Sequence, residues 1–164
     1  AQAGSVIPAQ QDTAKKIRAL WISLYHLGVV RDPSEKALTA YGKRLTGGKK
    51  NGIDALQWID DKGAYKVIES LKKMAESEAD VDWAAHHNVF MHALPVNPRK
   101  RVIAAQVSIL AGEVSGEEIL EAAPLLESCN IYVDFPEPIT PEKDLDETIY
   151  ALGALVRQVK QANV

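Results

Sequence analysis

Apolar residues recur along this chain at helical spacing, and strand-like alternation is nearly absent. Ile17, Leu20, Trp21 and Leu24 stand at i, i+3, i+4 and i+7, a single stripe that predicts an amphipathic helix. Thr13 is placed to cap it, and Gly28 follows Leu27 where a left-handed residue would close it. Asp32-Pro33-Ser34-Glu35 predicts the next start, with Asp32 as N-cap, Pro33 at the first helical position and Glu35 reaching back. That helix turns Leu38, Tyr41 and Leu45 inward and stops at Gly47-Gly48. Ile53, Leu56, Trp58 and Ile59 predict one or two helical turns. Asp60-Asp61 then opens a fourth helix with Tyr65, Ile68, Leu71 and Ala75 on its inner face.

Beyond an acidic stretch of Glu76, Glu78, Asp80 and Asp82, the pattern predicts a second unit. Asp82 can cap a helix through Leu94 that Pro95 ends. Asn97-Pro98 opens the next, apolar most of the way round at Val102, Ile103, Val107, Ile109 and Leu110, and Gly112 closes it. Ser115-Gly116-Glu117-Glu118 is a capping box ahead of Ile119, Leu120 and Ala123, and Pro124 ends or kinks that helix. Ile131 to Phe135, flanked by Pro136 and Pro138, is the one strand-like segment. Thr140-Pro141 opens the last helix, where Leu145, Ile149, Leu152, Val156 and Val159 step by 4, 3, 4, 3. This a/d stripe suits packing on its own domain or, alternatively, a homodimer contact. The expected class is all-α: a flexible lead-in over residues 1–11, a four-helix unit over 12–77, and a helical domain with one extended segment over 80–164.

Charge sharpens this division. The net charge is −3, yet Thr13 to Lys73 carries 13 Lys/Arg against 6 Asp/Glu, and Glu113 to Glu147 carries 11 acids against Lys143 alone. A basic half suits an anionic partner, while the acidic half has another role. Arg31, Lys36, Lys43, Arg44, Lys49 and Lys50 are the candidate phosphate contacts, close in sequence on the second helix and its flanking turns. Such residues give salt-sensitive binding of low sequence selectivity. Arg99-Lys100-Arg101 sits in a first turn, where the helix dipole disfavours cations, which suggests that these charges serve a contact.

Catalytic and metal chemistry find little support. Gly47-Gly48-Lys49-Lys50 lacks the strand and spaced glycine of a phosphate loop. His86, His87 and His92 lack the i, i+4 spacing of a helical zinc site, so no metal and no cofactor is expected. No serine lies in a nucleophile motif. The single cysteine, Cys129, reads as a buried thiol and fits a reducing compartment. No membrane span and no secretory signal is visible. The first residue is Ala1 rather than Met, so further sequence upstream is expected.

Several segments together resemble the GemA family of Mu-like transposable phages. They are Lys16-Ile17-Arg18-Ala19-Leu20-Trp21, Gly28-Val29-Val30-Arg31-Asp32-Pro33-Ser34-Glu35-Lys36-Ala37-Leu38, Lys43-Arg44-Leu45-Thr46-Gly47, Leu56-Gln57-Trp58-Ile59 and Ala64-Tyr65-Lys66-Val67-Ile68-Glu69-Ser70-Leu71-Lys72. Lys49-Lys50-Asn51 reads as a small insertion relative to that pattern. The resemblance implies an early regulatory protein rather than an enzyme, acting in the bacterial host cytoplasm on host gene expression and DNA supercoiling. Its implied partners are DNA and a host regulatory or topology protein. From the residues, a protein–protein adaptor using the acidic half and the final helix, without DNA contact, stands as the alternative. An enzyme with a site assembled across helices is a third class.

Overall fold

The structure, a computed structural model, describes residues 8–47, 59–83, 86–89, 92–95, 97–128 and 142–163. The described elements are α1 (Pro8–His26), α2 (Glu35–Leu45), α3 (Asp61–Ala79), β1 (His86–Val89), β2 (His92–Pro95), α4 (Pro98–Leu110), α5 (Gly116–Ala122), α6 (Leu125–Ser128) and α7 (Glu142–Ala162). The fold is all-α in class, with one two-stranded antiparallel hairpin among the helices. Two compact units divide the chain: Ala1–Tyr25 with Val30–Met74, and His26–Val29 with Ala75–Val164.

In the first unit, α1 buries Ala14, Ile17, Trp21 and Leu24, and α2 buries Leu38. The indole of Trp21 lies 5.4 Å from the Tyr41 ring, and its Nε1 donates to the Asp32 carbonyl at 3.0 Å. An offset aromatic pair of this kind adds about 1 kcal/mol beyond the burial of its area. The Tyr41 hydroxyl and Ser70 Oγ are 2.6 Å apart, fastening α2 to α3. Arg18 on α1 holds the Glu35 carboxylate through Nε and Nη2 at 2.9–3.0 Å.

Local polar groups set most helix starts as the sequence reading expects. Asp60 Oδ1 accepts from Gly63 N at 2.7 Å, Asn97 Oδ1 accepts from Arg99 N with Pro98 in the first turn, and Ser115 and Glu118 form the reciprocal capping box. Two caps differ. α1 begins at Pro8, so Thr13 lies inside it rather than at its start. The N-cap of α2 is Ser34, whose Oγ accepts from Ala37 N, while Asp32 Oδ1 accepts from Ser34 N. Asp32 therefore shapes the turn before the helix and is not its cap, because its short side chain satisfies the N–H two residues on.

The inner face of α3 also differs. Ala64, Val67, Leu71 and Ala75 are buried, whereas Tyr65 is 69% exposed. Both sets have helical spacing, and the narrow side chains take the inward positions. α3 ends at Ala79; the next residue, Asp80, is the one non-glycine residue with positive φ (53°) among those described, and Val81 N returns to the Ala75 carbonyl. Asp is one of the few residues that adopts this conformation readily. Within the segment expected to be a helix from Asp82 to Leu94, the described residues instead include β1 paired antiparallel with β2, with His86 opposite Pro95 and Val89 opposite His92. His, Asn and Val are weak helix formers, so apolar spacing alone does not hold this stretch helical.

The second unit is built on α4 against α7. Val102, Ile103, Ala105 and Leu110 of α4 and Leu145, Ile149, Leu152 and Val156 of α7 form its core. Arg99 Nε reaches Asp146 at 2.8 Å and its Nη1 reaches Glu142 at 3.3 Å, so at least one cation of the α4 first turn serves an internal contact. The turns expected around Ile53, Leu56 and Trp58, the extended Ile131–Phe135 segment, the Thr140-Pro141 start and Cys129 lie outside the described residues.

Candidate nucleic-acid interface

On α3 the side chains opposite the buried stripe are mostly cationic. At about 100° per residue, Lys62, Lys66 and Lys73 fall within an arc of about 40° on the face away from Val67 and Leu71. All three lysines are exposed. Among the described residues they make no ion pair or hydrogen bond. Tyr65 flanks this row, one turn after Lys62 and next to Lys66. Two carboxylates lie on the same side: Glu69, which is engaged by Lys72 at 3.7 Å, and Glu76, one turn after Lys73.

The Tyr41–Ser70 hydrogen bond connects α2 to this face, because Lys66 and Lys73 stand one turn before and after Ser70. Arg44 lies with its guanidinium carbon 5.9 Å from the Tyr41 ring centroid, a cation–π contact that keeps the charge near that junction. Arg44 is exposed and Lys43 is half-buried in the last turn of α2. Arg31 and Lys36 are both exposed, at the α1–α2 connection and in the first turn of α2. Lys49 and Lys50 lie outside the described residues. Of the six basic residues selected from sequence, then, Arg44 contacts Tyr41, whose hydroxyl meets Ser70 on α3. Arg31 and Lys36 are solvated cations of the same unit.

The α3 row was not selected from sequence. The signal existed: with Ala64, Val67, Leu71 and Ala75 taken as the inner stripe, Lys62, Lys66 and Lys73 fall opposite it. Taking Tyr65 as core shifted the assumed face. By contrast, Arg18 has its charge held by Glu35. That hydrogen bond raises the guanidinium pKa above its ordinary value; burial opposes it, and the carboxylate charge adds a smaller rise.

The residues chosen as a partner stripe lie in the second unit. Leu145, Ile149, Leu152 and Val156 are buried there and Val159 is half-buried, so their contacts are chiefly with their own unit. The second unit also holds a buried polar cluster. His26 Nδ1 lies 3.1 Å from Arg157 Nη1, Gln106 Nε2 donates to the His26 and Ile149 carbonyls at 3.1 and 2.9 Å, and Lys160 Nζ donates to the Leu27 carbonyl at 2.9 Å. Burial lowers the pKa of Lys160, partly offset by Glu78. These groups tie His26–Val29 to the second unit. Among the described residues no group of His, Cys, Asp and Glu is arranged to hold a metal ion. No helix among them is long and apolar enough to cross a membrane.

In comparison with known families, the model described as bacteriophage Mu GemA protein matches residues 1–77. No curated protein and no solved structure matches the chain.

Proposed function

Because residues 1–77 make this chain a GemA-family protein, we propose that it is a phage-encoded early regulatory protein of the Mu-like type. It acts without catalysis, associating with DNA or with a DNA-bound host protein in the bacterial cytoplasm, and so modulates host gene expression and DNA supercoiling. The observation that supports this reading is the solvated cationic surface of the first unit, formed by Lys62, Lys66, Lys73 and Arg44 with Arg31 and Lys36 on the same unit. Such charges release counterions from a nucleic acid, giving affinity that falls steeply with salt and depends little on sequence.

Fluorescence anisotropy with labelled duplex and single-stranded DNA, at low and at physiological salt, tests this. The wild-type protein should bind at low salt and weaken as salt rises. A variant with Arg31, Lys36, Lys43, Arg44, Lys49 and Lys50 all changed to Ala should bind more weakly, with a shallower salt dependence. Absence of binding to either DNA form at either salt would sink direct DNA association and turn attention to a host protein as the contact.

A further inference from the structure

Resting on that reading, we infer that the outer face of α3 is a binding surface for single-stranded DNA, with Lys62, Lys66 and Lys73 on the phosphates and Tyr65 stacking on an unpaired base. Two independent features of the face carry this. The first is the lysine row. Lys73 lies eleven positions after Lys62, about 16 Å along the axis, so the row can follow a run of phosphates rather than grip one. The second is Tyr65. Its ring is 69% exposed on a helix whose buried stripe is filled by Ala64, Val67, Leu71 and Ala75, so the core of the unit does not use it.

An aromatic ring standing on a convex helix beside lysines suits one nucleic-acid form over the other. In a duplex the base faces are stacked on one another, and a tyrosine on the outside can reach only backbone and groove edges. In a single strand every base offers a free face, and stacking on an aromatic side chain is tolerant of sequence. Of the two carboxylates beside the row, Glu69 is turned to Lys72, which reduces its repulsion of a phosphate, and Glu76 lies at the Lys73 end. Lys62 and Tyr65 are neighbours at i, i+3 on the helix surface, so one nucleotide can meet both, its phosphate at the ammonium and its base at the ring.

The test measures anisotropy of a labelled oligo-dT and of a duplex of the same length, in 50 and 200 mM salt. It uses the full chain, Tyr65→Ala, Tyr65→Phe, and a Lys62→Ala/Lys66→Ala/Lys73→Ala triple variant. These side chains are exposed, and circular-dichroism melts confirm that each variant folds. Tyr65→Ala should weaken oligo-dT binding roughly fivefold to a hundredfold, the range typical of one lost base stack, with the salt slope unchanged. Tyr65→Phe should bind within about twofold of wild type, since the ring remains. The triple variant should lose about two from the slope of log affinity against log salt. Oligo-dT binding untouched by Tyr65→Ala, or equal losses on duplex and single strand, would overturn the inference while leaving DNA association standing. Wild-type binding to duplex but not to oligo-dT would do the same. Failure to bind either form would remove direct DNA association together with this surface.

Discussion

Acidification should destabilise the second unit through His26. The residue is 2% exposed, its ring packs 4.3 Å from Tyr150, and its Nδ1 lies 3.1 Å from Arg157 Nη1. A guanidinium only donates, so Nδ1 accepts and the imidazole is neutral. Burial, and secondarily the Arg157 charge, push its pKa down from 6.5 to about 4. As the last residue of α1, His26 would gain about 1 kcal/mol from the helix dipole if charged, but the loss of water outweighs this. Between pH 6.5 and 4 the unfolded chain binds a proton that the folded chain refuses, so stability falls as pH falls through that window. A gap of about 2.5 pH units corresponds to a ceiling of about 3.4 kcal/mol, of which about 2.5 kcal/mol is lost by pH 4.5. Local opening that admits water would lower this figure. Urea denaturation at intervals from pH 7.5 to 4.5, for wild type and for His26→Gln, measures it. Carboxylates titrate in both proteins, so the difference in slope isolates His26. The imidazole resonance of His26, followed by NMR, gives its folded pKa directly. Equal pH slopes in the two proteins, or a folded pKa near 6.5, would refute the reasoning.

Other substitutions probe the same unit and its neighbour. Gly153→Ala places a methyl against the His26 ring, 2.9 Å from both Cβ and Cγ; despite better helix propensity it should cost about 1–3 kcal/mol in urea denaturation. Gln106→Ala removes two donors from the buried carbonyls of His26 and Ile149 and should lower stability by about 1–3 kcal/mol, read as an earlier urea midpoint with an unchanged m value. Arg18→Ala breaks a solvent-exposed pair with Glu35 and should cost under about 1 kcal/mol, a loss that high salt diminishes.

Sequence revealed those features whose cause is local. Asp60, Asn97 and Ser115 each satisfy an N–H two or three residues ahead, so a short window contains the whole interaction. The choice between Asp32 and Ser34 was harder, because both side chains find backbone donors within three residues. Tyr65 and Ala64 offered two inner faces at the same period, and only the room available beneath α3 decides between them. Asp80, ahead of the paired strands, takes a left-handed conformation that apolar spacing does not register. The cluster of His26, Gln106, Arg157 and Lys160 joins residues separated by 43 to 133 positions, and no local pattern announces it. The stripe from Leu145 to Val156 was legible as a stripe, but not that α4 is what covers it.

The basic bias of the first unit gains meaning from how its acids are engaged. Of the acids between Thr13 and Lys73, Asp32 accepts from Ser34 N, Glu35 holds Arg18, Asp60 caps α3 and Glu69 meets Lys72. Asp61 stands in the first turn of α3, where the dipole favours an anion. Asp32 and Asp60 bind local backbone N–H groups, and Glu35 and Glu69 pair with cations. The matching cations, Arg18 and Lys72, are neutralised in place. Lys62, Lys66 and Lys73 have no such role among the described residues, and grouping like charges on one helix face costs a little stability rather than adding any. A row that the fold neither needs nor neutralises is the part of the charge pattern that points to an anionic partner.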